Sequence, residues 1–169
     1  MKAARRAFVV VAGIAIGLAV AHRVLVEPGV VGLFHDWNLP AVATQNIAAA
    51  RAVFEGWTAD GLGHPVGYPT QYPLLFVIGI LSWLGVSAGA LSKCVLVAVP
   101  ATAFVCGVAF GRAAGLRFWP SLACGALYAL NPVMLNKLVS GQLAYLFGYA
   151  FVPAALAVYI AACRRGWRQ

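Results

Sequence analysis

The run Leu74-Leu75-Phe76-Val77-Ile78-Gly79-Ile80-Leu81-Ser82-Trp83-Leu84-Gly85-Val86 decides how this chain is folded. It is uncharged and apolar, yet its thirteen residues reach only about 20 Å as an α-helix. A bilayer core is about 30 Å thick and asks for roughly 17–25 apolar residues. Whether this segment crosses a membrane sets the side on which everything after it lies.

The setting follows from composition. The 169 residues are 63% hydrophobic and 9% charged, with a mean hydropathy of +0.87, whereas soluble domains are about a quarter charged. An all-α, polytopic helical membrane protein is expected, with the lipid bilayer as its first partner. The net charge of +8 is not a nucleic-acid footprint. Basic residues stand at the ends of apolar runs rather than in a polar, aromatic-studded patch, so no nucleic acid is expected as a partner. Cys94, Cys106, Cys124 and Cys163 lie within or at the ends of apolar runs without a C-x-x-C pair. They read as small hydrophobes rather than disulfide or metal ligands.

Residues 1–26 form the first span, and Lys2, Arg5 and Arg6 ahead of it place the amino terminus in the cytoplasm. Ala19-Val20-Ala21 has the small-x-small form of a signal-peptide cleavage site, which is the competing reading. The loop that follows is outside in either case.

Residues 27–71 are the only long polar region and hold all four carboxylates, Glu27, Asp36, Glu55 and Asp60. Pro28-Gly29 breaks a helix; Asn38 caps a new one, with Pro40 tolerated in its first turn. Ile47, Ala50, Val53, Phe54 and Trp57 then recur at helical spacing, with Gln45, Asn46, Arg51 and Glu55 mostly off that stripe. The pattern predicts an interfacial helix with Trp57 at headgroup depth, which is compatible with packing on other membrane helices. Beyond it, Pro65, Pro69 and Pro73 with three glycines predict an irregular loop bordering a cavity.

If every apolar run crosses, five spans result and Arg112, Arg117, Arg164, Arg165 and Arg168 all fall outside. If residues 74–86 enter and leave without crossing, these arginines return to the cytoplasm. The positive-inside bias favours the second arrangement: four full transmembrane helices plus one short re-entrant or fifth membrane segment. The chain is then a single membrane domain, with a first span (1–26), an outer loop (27–71), the remaining membrane segments (72–163) and a basic tail (164–169). The loops at 27–71 and 131–142 share the outer face.

Asp36 stands between His35 and Trp37 at the expected helix start, where the dipole favours the ionised carboxylate. Flanking apolar spans exclude water, which makes a positioned base effective. His35 would orient an acceptor or share its proton; the competing reading of Asp36 is a solvated surface charge. Asp60 and His64 are four apart, but Gly61, Gly63 and Pro65 deny them a shared helical face. Their spacing with Asp36 does not indicate a divalent cation, which is left open as a cofactor. In the second loop Lys137 is the only cation, near Asn131, Asn136, Ser140 and Gln142. It suits an anionic lipid headgroup or phosphate, or it is simply a snorkelling lysine. Ser-His-Asp, P-loop, dinucleotide and zinc-protease patterns are absent. No carboxylate falls in mid-span, which counts against ion or proton translocation.

Taken in order, the chain has a first span, an outer loop with His35-Asp36-Trp37, then Tyr68-Pro69 and Tyr72-Pro73. A later span ends in Leu130-Asn131-Pro132, followed by Gly141-Gln142 and Tyr145. This order resembles the amino-terminal part of polytopic membrane glycosyltransferases of the C-type (GT-C) fold and their bacterial relatives. The resemblance implies a transferase of the cell envelope, in the bacterial plasma membrane, taking a sugar from a lipid-phosphate donor on the extracytoplasmic face. It makes Asp36 the first-loop acid, acting as base on the acceptor hydroxyl or organising a metal. Lys137, Gln142, Asp60 and His64 would bind substrate. Members of that superfamily have at least seven spans, and some carry a carboxylate in the second outer loop that this sequence lacks. The chain is therefore expected to be part of a larger protein, or to act with a further membrane subunit. The alternatives are a non-enzymatic transport or assembly subunit, or an inactive truncated fragment.

Overall fold

The computed structural model describes residues 2–29, 42–55, 57–58, 64–65 and 72–166. They form α1 (Lys2–Val26), α2 (Ala43–Glu55), α3 (Tyr72–Trp83), α4 (Ala88–Ala113), α5 (Phe118–Ala129), α6 (Pro132–Val139) and α7 (Leu143–Gly166). One minimal antiparallel pair, β1 (Trp57–Thr58) with β2 (His64–Pro65), sets Trp57 opposite Pro65 and Thr58 opposite His64. The chain is an all-α, polytopic helical membrane protein. Among the described residues, four stretches are long and apolar enough to cross a bilayer: Ala3–Val26, Ala88–Ala113, Phe118–Val139 and Tyr145–Gly166. The twelve residues of α3 extend about 18 Å and fall short of a crossing.

α4 is the axis of the bundle. Its span is 56% buried, against 17% for α1 and for α7, and α1, α5 and α7 all pack on it. Without a hydrophobic drive between helices in lipid, close backbone approach through small residues holds such contacts. Gly13 and Gly17 of α1 abut the main chain of α4 at Ala101 and Val97. Gly107 and Gly111 of α4 meet Gly125 and Ser121 of α5, so closely that a Cβ on Gly107 would lie 2.9 Å from Gly125 Cα. Outward-facing Phe8, Val11, Ile14, Leu18, Leu127, Phe151, Val158 and Tyr159 supply the exposed apolar belt.

These contacts give direction. Gly13 against Ala101 and Gly17 against Val97 make α1 antiparallel to α4; Gly107 against Gly125 and Gly111 against Ser121 make α5 antiparallel to α4. Lys93 Nζ, near the start of α4, donates to Leu25 O at 3.3 Å and to Glu27 O, tying the start of α4 to the end of α1. The chain thus leaves α1 and re-enters α4 at the same end, with α2 and α3 between. Ile78 of α3 shares one core cluster with Ala21, Leu91, Val95, Met134, Leu138 and Leu146. The four-span arrangement follows. Arg5, Arg6, Arg112, Arg117, Arg164 and Arg165 belong to the helix termini at one end of the bundle, and Arg164 Nη2 lies 3.9 Å from where a Gly115 side chain would begin.

Local structure differs from expectation in five places. The helix α2 begins at Ala43 and packs on α3, with Ala50 against Gly79; the expected cap at Asn38 and Pro40 lie outside the described residues. Trp57 leaves the helix and opens β1. Asn46, expected off the apolar stripe, is 2% exposed, because the stripe of so short a helix is set by what α3 presents. Pro73 falls in the first turn of α3, where its missing N–H is no loss. The largest change concerns residues 131–142, expected as a loop. Asn131 caps α6, its Oδ1 accepting from Met134 N at 3.0 Å, and only Ser140, Gly141 and Gln142 separate α6 from α7. Proline at the first helical position starts a helix as readily as it ends one.

Candidate functional site

The third span breaks at Asn131-Pro132, the fourth carries Pro153 within α7, and two tyrosines repair the backbone of both. A proline leaves the carbonyl four residues earlier without its helical donor. In lipid that carbonyl must be satisfied from elsewhere. Pro132 does this to Tyr128 and Pro153 does it to Tyr149. Tyr149 Oη donates to Tyr128 O at 3.1 Å, and Tyr128 Oη donates to Tyr149 O at 2.6 Å. Asn131 Nδ2 adds a bond to Tyr128 O at 3.1 Å and another to Tyr149 Oη. The two rings stack 4.3 Å apart at 5°. Asn131 is therefore consumed by structure, as is Ser140, whose hydroxyl donates to Asn136 O at 3.0 Å.

The stack continues toward the helix end. Tyr145 lies 6.2 Å from Tyr149, and Lys137 Nζ sits 5.4 Å from the Tyr145 ring centroid. A cation over an aromatic face is held without being neutralised. The turn beyond α6 is a Schellman motif: Gly141 at φ 74°, with Gly141 N donating to Leu138 O at 3.2 Å and Gln142 N to Lys137 O at 3.1 Å. The same motif ends α3 at Gly85, where Leu81 and Val86 occupy the paired positions that commonly make an apolar contact. In the α6 turn those positions carry Lys137 and Gln142. The motif thus brings together two of the residues singled out from the sequence, in place of the usual apolar pair.

Between α4, α5 and α7 runs an apolar groove of about 560 Å³, from Phe110 and Pro120 near the arginine end up to Asn131, with α6 between it and the turn. Cys124, Leu127, Pro153 and Leu156 line it, and Tyr128 and Asn131 also border it. Tyr128 and Tyr149 were not singled out by composition or motif. Their signal was positional, each lying four residues before a proline within an apolar span.

Asp36, His35 and Asp60 lie outside the described residues, and His64 enters through its β2 backbone pairing with Thr58. The loop that carries Asp36 departs from the end of α1 tied to Lys93, and Leu138, next to Lys137, belongs to the same core cluster as Ala21. The α6–α7 turn and the root of that loop are therefore at one end of the bundle. At the α2–α3 contact, Asn46 Oδ1 and Ser82 Oγ are buried without a hydrogen-bond partner. Among the described residues no three His, Cys, Asp or Glu side chains gather as a metal site. In comparisons with known proteins, the chain matches no family model, no curated protein and no solved structure.

Proposed function

We propose that the chain is a GT-C-type glycosyltransferase module transferring a sugar from a lipid-phosphate donor at the extracytoplasmic face of a bacterial plasma membrane. The observation that carries this reading is the Lys137–Gln142 turn, at the end where the Asp36 loop begins, with α6 leading from it to the apolar groove at Asn131. The six arginines at the opposite end support a cytoplasmic amino terminus. The lipid chain lies in the groove and Lys137 meets the phosphate as a point charge. Gln142 donates its amide to the phosphate or sugar, and Asp60 and His64 contact the sugar from the first loop.

In the reaction the acceptor oxygen attacks the anomeric carbon, and the bond from that carbon to the phosphate oxygen breaks. The electron pair leaves with the lipid phosphate, whose charge Lys137 offsets. Asp36 takes the acceptor's proton as the new bond forms, with His35 orienting the hydroxyl.

The test is transfer of radiolabelled sugar from a polyprenyl-phosphate donor in membranes containing the full-length gene product. Asp36→Asn abolishes turnover while insertion is retained, and Lys137→Gln raises the donor KM. Undiminished transfer by Asp36→Asn removes Asp36 from the mechanism, and absence of any transfer with a panel of such donors favours a non-enzymatic subunit.

A further inference from the structure

At the arginine-rich end, a second groove of about 620 Å³ opens between α1, α4 and α5. Its lower walls are apolar, from Val9 and Val10 of α1 and Val105 and Val108 of α4. Its mouth carries Arg5, Arg6 and Arg112. Two of the three guanidinium groups are held in place. Arg5 Cζ lies 5.3 Å from the Phe118 ring centroid, and Arg112 Nη1 donates to Leu116 O at 2.7 Å. The four carboxylates of the chain all fall within residues 27–60, and Glu27 belongs to the opposite end beside Lys93. Three positive charges from two helices thus converge on one apolar slot with no described carboxylate at that end.

We propose that this groove binds an anionic phospholipid, its headgroup phosphate between Arg5, Arg6 and Arg112 and one acyl chain along Val9, Val10, Val105 and Val108. Basic pockets between membrane helices suit such headgroups. Guanidinium forks match phosphate oxygens in pairs, and preset side chains lower the ordering cost of binding. The bound lipid bridges the start of α1 to the end of α4, clamping the two helices at the mouth of the groove. The proposal is independent of sugar transfer: it concerns the opposite end of the bundle and needs no catalytic residue.

Native mass spectrometry of the detergent-solubilised full chain, titrated with dioleoylphosphatidylglycerol or dioleoylphosphatidylcholine, tests it. Phosphatidylglycerol is retained preferentially. Arg5→Gln with Arg112→Gln weakens that retention by about thirty-fold, at about five-fold per arginine. Arg164→Gln with Arg165→Gln removes the same charge from the same end, outside the groove, and leaves retention within about two-fold. Val10→Trp fills the slot with the arginines intact, weakens retention too, and provides the test if the double arginine variant fails to fold. Excess inorganic phosphate does not displace the lipid. Equal loss in both arginine pairs, no preference between the two lipids, undiminished retention by Val10→Trp, or displacement by phosphate alone would each overturn the proposal.

Discussion

Tyr128 and Tyr149 each donate their hydroxyl to the other's main-chain carbonyl, at 2.6 Å and 3.1 Å. Both carbonyls are ones that a proline four residues on, Pro132 or Pro153, deprives of its helical donor. The pair is a reciprocal repair of two carbonyls, one in each of two spans, and it ties α5 to α7. Tyr128→Phe strands the Tyr149 carbonyl and is expected to cost about 0.6–1.7 kcal/mol, the range of intramembrane side-chain hydrogen bonds. In a Pro153→Ala background α7 regains its own donor, and the same substitution becomes nearly neutral. Reversible unfolding in mixed micelles measures both, and equal costs in the two backgrounds would refute the repair.

The α4–α5 contact depends on two glycines meeting. A Cβ on Gly107 would sit 2.9 Å from Gly125 Cα, backbone that has no flexible end to move aside. Gly107→Ala is expected to destabilise by about 1–3 kcal/mol, as overpacking does. Gly148→Ala, with nothing within 4 Å of the added carbon, is neutral or stabilising by about 0.5–1 kcal/mol. Thermal unfolding of the two variants in the same detergent separates packing from propensity.

The turn holding Lys137 beside Gln142 needs Gly141 at φ 74°. Gly141→Ala places a side chain in the left-handed region at a cost of about 1–2 kcal/mol. Gly141→Asn is milder because asparagine tolerates that region. If the turn binds a lipid phosphate, Gly141→Ala raises the donor KM more than Gly141→Asn does, at unchanged protein level. Equal KM values in both variants would separate the turn from substrate.

The arrangement of spans makes a topological prediction. In a variant with the four cysteines replaced, Lys137→Cys and Arg117→Cys report opposite faces. A membrane-impermeant maleimide labels the first in intact cells and the second only after permeabilisation. Labelling of both from one side would require that the third span fail to cross.

Much of the architecture was already legible in the linear chain. The apolar runs, their lengths and the arginines at their ends imply four crossings and a short segment that turns back. Lengths and charges act locally, so bilayer thickness and the charge bias read them without knowledge of packing. The close approaches of Gly13 and Gly17 to α4, and of Gly107 and Gly111 to α5, came from the fold, since a small-residue stripe does not name its partner. Lys137 and Gln142 stood out as polar residues in a greasy context.

Partnership is what only the folded chain decided. Asn46 became buried because α3 covers it, and Lys93 proved to be a tie to Leu25 and Glu27 across more than sixty positions. The expected loop at 131–142 became a capped helix because Asn131 and Pro132 begin α6 while Tyr149, from another helix, takes up the carbonyl that the break exposes. Composition and periodicity report how one segment meets its solvent, whereas a broken hydrogen bond within lipid is tolerated only where a second segment supplies the missing donor.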